Sequence, residues 1–213
     1  MTPVTLVDLL CRGAAHRPAL SDPDGISLDY VDLCNAADAI GAALATHGVQ
    51  PGDRVAAVLP DGAAYLAAFA GTAAARAAFA PLAAPDGLAR LRPRLVLAPP
   101  EVPQGIRVAA NALGIPVVTV AIDAAGLALV DGEHVYDAHG RTAGPDDPAF
   151  ITADGIPVAQ GALVAAALES ARPASGTVRL AVPLSELRGL VGAIAVLAAG
   201  GHLVVAARAA AAA

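Results

Sequence analysis

Residues whose types could do chemistry are few and scattered along this chain. His134 and His139 flank Asp137, and imidazoles with a carboxylate are a common metal-ligand set, but the spacing crosses a loop and no third ligand stands near. Asp146-Asp147 could offer oxygens to a hard cation; the same pair suits an exposed acidic turn before a strand. Glu186 with Arg188 could form an acid or an anion site, although charges at a strand-to-helix junction usually cap the helix or meet solvent. Ser21, Ser170, Ser175 and Ser185 lack the G-x-S-x-G surroundings of an activated nucleophile. Cys11 and Cys34 have no zinc-type spacing and no second pair, so they are expected as plain buried thiols in a reducing cytoplasm, without a disulfide. No residue is assigned as catalytic or as a metal ligand.

All 13 basic residues are arginine; lysine is absent. With a net charge of -6 and no basic cluster, nothing matches a nucleic-acid backbone, so no nucleic-acid partner is expected. The N-terminus lacks the basic start and apolar run of a secretion signal. Gly189 to Ala207 runs nineteen residues without a charge, close to a membrane-spanning length. Gly200-Gly201-His202 interrupts it, and Leu203-Val204-Val205 are strand formers, so helix, turn and strand are expected rather than a membrane segment.

The elements that must position any site alternate between helix and strand. Apolar spacing predicts helices over 4–15, 32–47, 63–78, within 102–113, and over 158–170 and 187–199. Compact apolar runs predict strands at 26–30, 55–59, 95–97, 115–122, 149–152, 178–182 and 202–206, with a hairpin over 127–136 around Asp131-Gly132. The fold class is therefore α/β, a parallel-rich sheet flanked by helices. Asp137 to Pro148 is the best linker, giving portions 1–140 and 146–208 and an alanine tail, 209–213.

Several spaced segments resemble the adenylate-forming superfamily of acyl-CoA synthetases, peptide-synthetase adenylation domains and luciferases. Leu28-Asp29-Tyr30-Val31-Asp32-Leu33 is similar to L-T-Y-x-E-L, and Gly48-Val49-Gln50-Pro51-Gly52-Asp53-Arg54-Val55 to G-V-x-P-G-D-R-V. Leu59-Pro60-Asp61-Gly62, Pro81-Leu82, Val182-Pro183-Leu184 and Leu197-Ala198-Ala199-Gly200-Gly201 follow in the family's order. The resemblance covers nearly all of the chain but about the first half of a full-length family enzyme, and it implies the first half of an acyl-CoA synthetase N-terminal domain.

It also implies where chemistry should lie. The family's phosphate loop, T-S-G-T-T-G-x-P-K-G, matches Phe150 to Ala159, including Thr152, Asp154, Gly155, Pro157 and Val158. Val158 replaces the lysine, Ala159 the second glycine, and the loop is about two residues short. No cation stands within it, and Asp154 would repel a phosphate about 4 Å away by roughly 4 kcal/mol at a surface-like effective dielectric. The family's P-L-x-H-x-x-G reads Pro183-Leu184-Ser185-Glu186-Leu187-Arg188-Gly189, with Ser185, Glu186 and Gly189 as a remnant acyl-pocket segment and a carboxylate where histidine is expected. Arg76 stands where the family has glycine. The expectation is a truncated, cytoplasmic relative without independent adenylation and without a bound cofactor, acting as a binding or scaffold module. Half of a split ligase and an acyl-ligand carrier are the alternatives. An incomplete sheet predicts homo-oligomerisation or a protein partner, with no membrane involved.

Overall fold

The computed structural model describes residues 5–136, 143–171 and 176–206. The chain begins with α1 (Leu6–Leu10), β1 (Pro18–Ser21), β2 (Ser27–Asp29) and α2 (Tyr30–Thr46). It continues through β3 (Arg54–Ala57), α3 (Ala63–Ala74), β4 (Ala78–Pro81), α4 (Gly87–Leu91), β5 (Leu95–Ala98) and α5 (Gln104–Ala112). Then come β6 (Val117–Ile122), β7 (Ala128–Val130), β8 (Glu133–His134), β9 (Pro148–Ile151), β10 (Pro157–Ala159) and α6 (Gln160–Ser170). The last elements are β11 (Thr177–Leu180), α7 (Leu187–Ala198) and β12 (His202–Val205).

Two sheets result. The larger runs β10-β9-β4-β3-β5-β6-β7-β8, with β9 to β6 parallel and an antiparallel hairpin at each edge. The smaller runs β11-β12-β1-β2 and is parallel except for β2. Strands from either side of residues 137–148 enter both sheets.

The parallel strands are apolar on both faces because helices cover both. Val55, Leu95 and Leu97 join the main core with α2, α3, α6, α7 and the small sheet, while the alternating Ala56 and Val96 meet Leu88, Ile106 and Ala110 on the α4/α5 face. With only 3% aromatic residues, the core relies on close approach of small side chains. All three phenylalanines, Phe69, Phe79 and Phe150, stack edge-on in one chain with Tyr65. At the crossing of α2 and α3, a Cβ on Gly71 would lie 2.6 Å from the Ala37 carbonyl oxygen.

Local rules set the helix starts. Thr5 with Asp8, and Asp29 with Asp32, form capping boxes at α1 and α2. The second box explains the spacing within Leu28 to Leu33. The Tyr30 hydroxyl donates to the carbonyls of Leu197 (3.0 Å) and Gly201 (2.7 Å), so two of the recognised segments meet physically. Burial raises Tyr30 to about 12, which keeps the hydroxyl a donor. Among the described residues no helix is long and apolar enough to cross a membrane; the uncharged stretch from Gly189 splits into α7, a glycine turn and β12.

Several expectations need correction. The helix predicted over 63–78 ends at Ala74, because Arg76 takes φ +61° and the chain re-enters as β4; an alanine run carries no periodicity to mark that end. The first helix is five residues long, and β1 follows where no strand was expected. Pro157–Ala159 forms β10 instead of a first helical turn, and α4 lies within the proline-rich stretch. Cys11 and Cys34 are joined in a disulfide with Cα atoms 5.9 Å apart, and both are half-buried. Sequence spacing could not show that the end of α1 lies beside the first turns of α2. Asp137, His139, Ser175 and the alanine tail lie outside the described residues.

Arg76 also has a role that a glycine at this position could not have. Its guanidinium grips Asp147 through two bonds (Nε to Oδ2 2.9 Å, Nη2 to Oδ1 3.1 Å), tying the end of α3 to the entry of β9. Asp147 also accepts from the Gly144 amide at 2.6 Å, so it is a fixed structural anion and not a solvated acidic turn.

Two predictions follow from these contacts. Gly71→Ala should lower stability by about 1–3 kcal/mol in urea unfolding, through overpacking of the α2/α3 crossing. The Arg76 hydrogen bond, then the Gly144 amide, holds Asp147 below its ordinary value of 3.8 despite burial. A depressed folded value contributes stability that is complete above about pH 4 and lost as pH falls through it. Asp147→Asn should therefore be less stable than wild type at pH 6, with the difference closing toward pH 2.

Candidate functional site

The carboxyl ends of β3, β4, β5 and β9 open onto a cleft of about 850 Å³, the place where parallel α/β sheets expose their loops. Pro60 and Asp61 after β3, Leu82 after β4, Pro99 after β5 and Ala153 after β9 line it. The Ser185-Glu186 segment closes one wall.

That wall is held from below. The Leu184 amide donates to Asp61 Oδ1 (3.1 Å), and the Tyr65 hydroxyl donates to the Leu184 carbonyl (3.1 Å). Both backbone groups of one fully buried residue are thus satisfied by side chains, Asp61 from the β3–α3 connection and Tyr65 from the first turn of α3. Burial, reinforced by the negative Asp61, pushes the Tyr65 phenol up, so it stays protonated and donating. Gly189 allows the first turn of α7 to lie against the Pro183 carbonyl, where any Cβ would collide. Its place in the segment is steric. Glu186 faces the cleft and pairs with Arg188 at 3.3 Å, both exposed, in keeping with a solvated junction.

The stretch matched to the phosphate loop is a closed hairpin turn between β9 and β10. Gly155 N–H donates to the Thr152 carbonyl (2.8 Å), Thr152 N–H to the Ile156 carbonyl (3.0 Å), and Ile156 N–H to Thr152 Oγ1 (3.1 Å). Gly155 at φ +82° ends the turn, the arrangement of a three-residue hairpin loop. A phosphate cradle needs several amides that point outward together; here those of Thr152, Gly155 and Ile156 are spent on the turn itself. Pro157 and Val158 belong to β10, opposite Ile151 and Phe150, and Val158 packs on the core where the family's lysine would extend.

Residues 150–159 contain no cation, but the fold brings two to the side of this turn. Arg90 of α4 donates to the Ala153 carbonyl at 3.3 Å, and Arg90 and Arg54 line a second cavity of about 260 Å³ together with Thr152, Asp154 and Gly155. Neither arginine is adjacent in sequence to the turn, so only the fold brings them there.

The structure therefore places Thr152, Asp154 and Gly155 in one cavity, Ser185 and Glu186 in another, and Ala153 at both. Among the described residues, no group of three or more His, Cys, Asp or Glu side chains is arranged for a metal; His134 instead bonds Asp123 at 2.8 Å. One polar constellation escaped sequence reasoning. Ser27, Ser21, His202 and Thr177 form a side-chain chain across all four strands of the small sheet, with Ser21 Oγ 3.0 Å from His202 Nε2. Residues up to 181 positions apart meet through strand pairing, which no local pattern announces. Its third partner is a threonine hydroxyl rather than a carboxylate, and neither cavity reaches it, so it is read as a cross-strand ladder.

The ATP-bound MatB of Rhodopseudomonas palustris superposes with a TM-score of 0.78 at 22% identity, over 96% of this chain and 45% of that one. A benzoate CoA ligase from Burkholderia xenovorans LB400 gives 0.80 at 22% identity, over 96% and 46%. VinN gives 0.76 at 23% identity, over 96% and 57%. The chain thus spans about half the length of these structures, and at such identities they share its fold. No curated relative matches. The sequence model of AMP-binding enzymes matches residues 10–213, nearly the entire chain, and on that match the chain belongs to the AMP-binding enzyme family.

Proposed function

We propose that this chain keeps the family's N-terminal scaffold without adenylating on its own, and works as a binding or scaffold module. The observation carrying this reading is the closed turn from Thr152 to Ile156, in which the Thr152, Gly155 and Ile156 amides bond internally while Val158 packs inward. Lysine is absent from the whole sequence, so no ammonium is available to follow a phosphoryl group. Glu186, in place of the histidine expected beside the acyl pocket, adds a carboxylate to a cleft that Asp24 and Asp61 also line. A nucleotide polyanion meets repulsion there, and no step of adenylate formation is assigned to these residues.

A second reading has its own support. The wall at Leu184 is held by two side-chain bonds and the strand-end cleft is open, which supports completion of that surface by a complementary ligase portion. In that reading a separate polypeptide supplies the nucleotide site and the lysine, and this chain contributes one half of an acyl-CoA or aminoacyl ligase.

Purified chain is expected to give no ATP–pyrophosphate exchange above background with any carboxylic acid tested, benzoate and malonate included. Exchange by the chain alone would overturn the first reading. Exchange appearing only on addition of a co-encoded ligase fragment would establish the second.

A further inference from the structure

The cavity beneath the hairpin turn carries more charge than the fold requires. It lies on the α4/α5 side of the large sheet, walled by Ala80, Leu91 and Ile151, with Arg54 and Arg90 among its lining residues. Each guanidinium is anchored by one backbone carbonyl: Arg54 Nη1 to Leu91 (3.1 Å) and Arg90 Nη2 to Ala153 (3.3 Å). A guanidinium carries five N–H donors in a fixed fork, so most of each fork is left for another acceptor. Among the described residues neither arginine has a carboxylate within ion-pair distance, and both side chains are permanently charged. Asp154 lines the same cavity and pairs with neither.

We propose that this recess binds a small oxyanion, a phosphate or a carboxylate head, between Arg54 and Arg90. Size decides against anything larger: about 260 Å³ falls below the range of roughly 300–1,000 Å³ typical for drug-sized ligands. Planar forks suit both tetrahedral and planar oxyanions. The apolar wall of Ala80, Leu91 and Ile151 accepts a short hydrocarbon flank, which favours a carboxylate over phosphate if the two are distinguished. Asp154 opposes the bound anion, and both arginines are exposed, so the affinity is modest and salt-sensitive. The site is independent of adenylation: phosphate or carboxylate held here leaves the exchange assay at background.

The test is an NMR titration of the intact chain at constant low ionic strength, following arginine Nε–H signals, with phosphate, acetate and butyrate as probes and chloride as control. Saturable shifts at Arg54 and Arg90 in the millimolar range are expected for oxyanions but not for chloride. Butyrate binding more tightly than phosphate would assign the source as a carboxylate; the reverse would assign it as phosphate. Arg54→Ala and Arg90→Ala should each weaken binding about tenfold, as loss of one charge-assisted bond implies. Asp154→Asn should strengthen it severalfold, an effect that a folding defect could not produce. Shifts that are non-saturable, unchanged in the double arginine variant, or weakened by Asp154→Asn would each overturn the proposal.

Discussion

Two buried tyrosine hydroxyls hold the end of this fold to its beginning. Tyr30, at the start of α2, bonds the carbonyls of Leu197 and Gly201 at the end of α7; Tyr65, in α3, bonds the carbonyl of Leu184 just before α7 begins. One helix is thereby fixed at both ends by side chains more than a hundred residues earlier. Each bond is worth about 1 kcal/mol in net stability, but leaving such a buried group unpaired costs about 1–3 kcal/mol. The position of α7 sets the small sheet, since β11 and β12 lie on either side of it in the chain, and it sets the Ser185-Glu186 wall of the larger cleft.

This arrangement explains why some segments were legible before any coordinates. Leu28 to Leu33 is a capping box, Asp29 to Asp32, that encloses the tyrosine bonding Gly201. In Gly48 to Val55, Asp53 accepts the Gln50 amide at 2.8 Å, and Gly48 and Gly52 adopt positive φ. Asp61 accepts the Leu184 amide, joining two further segments. These residues answer backbone requirements that leave few substitutes, so their pattern persists in the sequence and identifies the fold. Most central strands were legible for the same kind of reason: Leu95 to Leu97 and Val117 to Ile122 are apolar runs of strand length.

Alanine hid much of the rest. In α3 nearly every position is buried, so burial has no periodicity and the end of the helix depends on the positive φ of Arg76. The Cys11–Cys34 bond and the Ser21–His202 contact were illegible for a different reason, because each depends on which elements become neighbours. The same applied to Arg54 and Arg90. Inspecting residues 150–159 alone suggested a turn without cations, whereas α4 and β3 deliver two from 60 and more positions upstream.

Fold and chemistry place unequal demands on the hairpin between β9 and β10. To join two antiparallel strands it needs only a tight turn with a glycine at positive φ, and Thr152 to Ile156 meets that need with its own hydrogen bonds. To hold a triphosphate it would need extra residues with amides left unpaired, a state that costs stability unless a ligand is present. In this turn the amides of Thr152, Gly155 and Ile156 are satisfied from within, without a ligand. Val158 adds apolar contact with the core. Both features let the scaffold stand without a ligand, as do the contacts of Tyr30, Asp61 and Tyr65 that hold α7 in place.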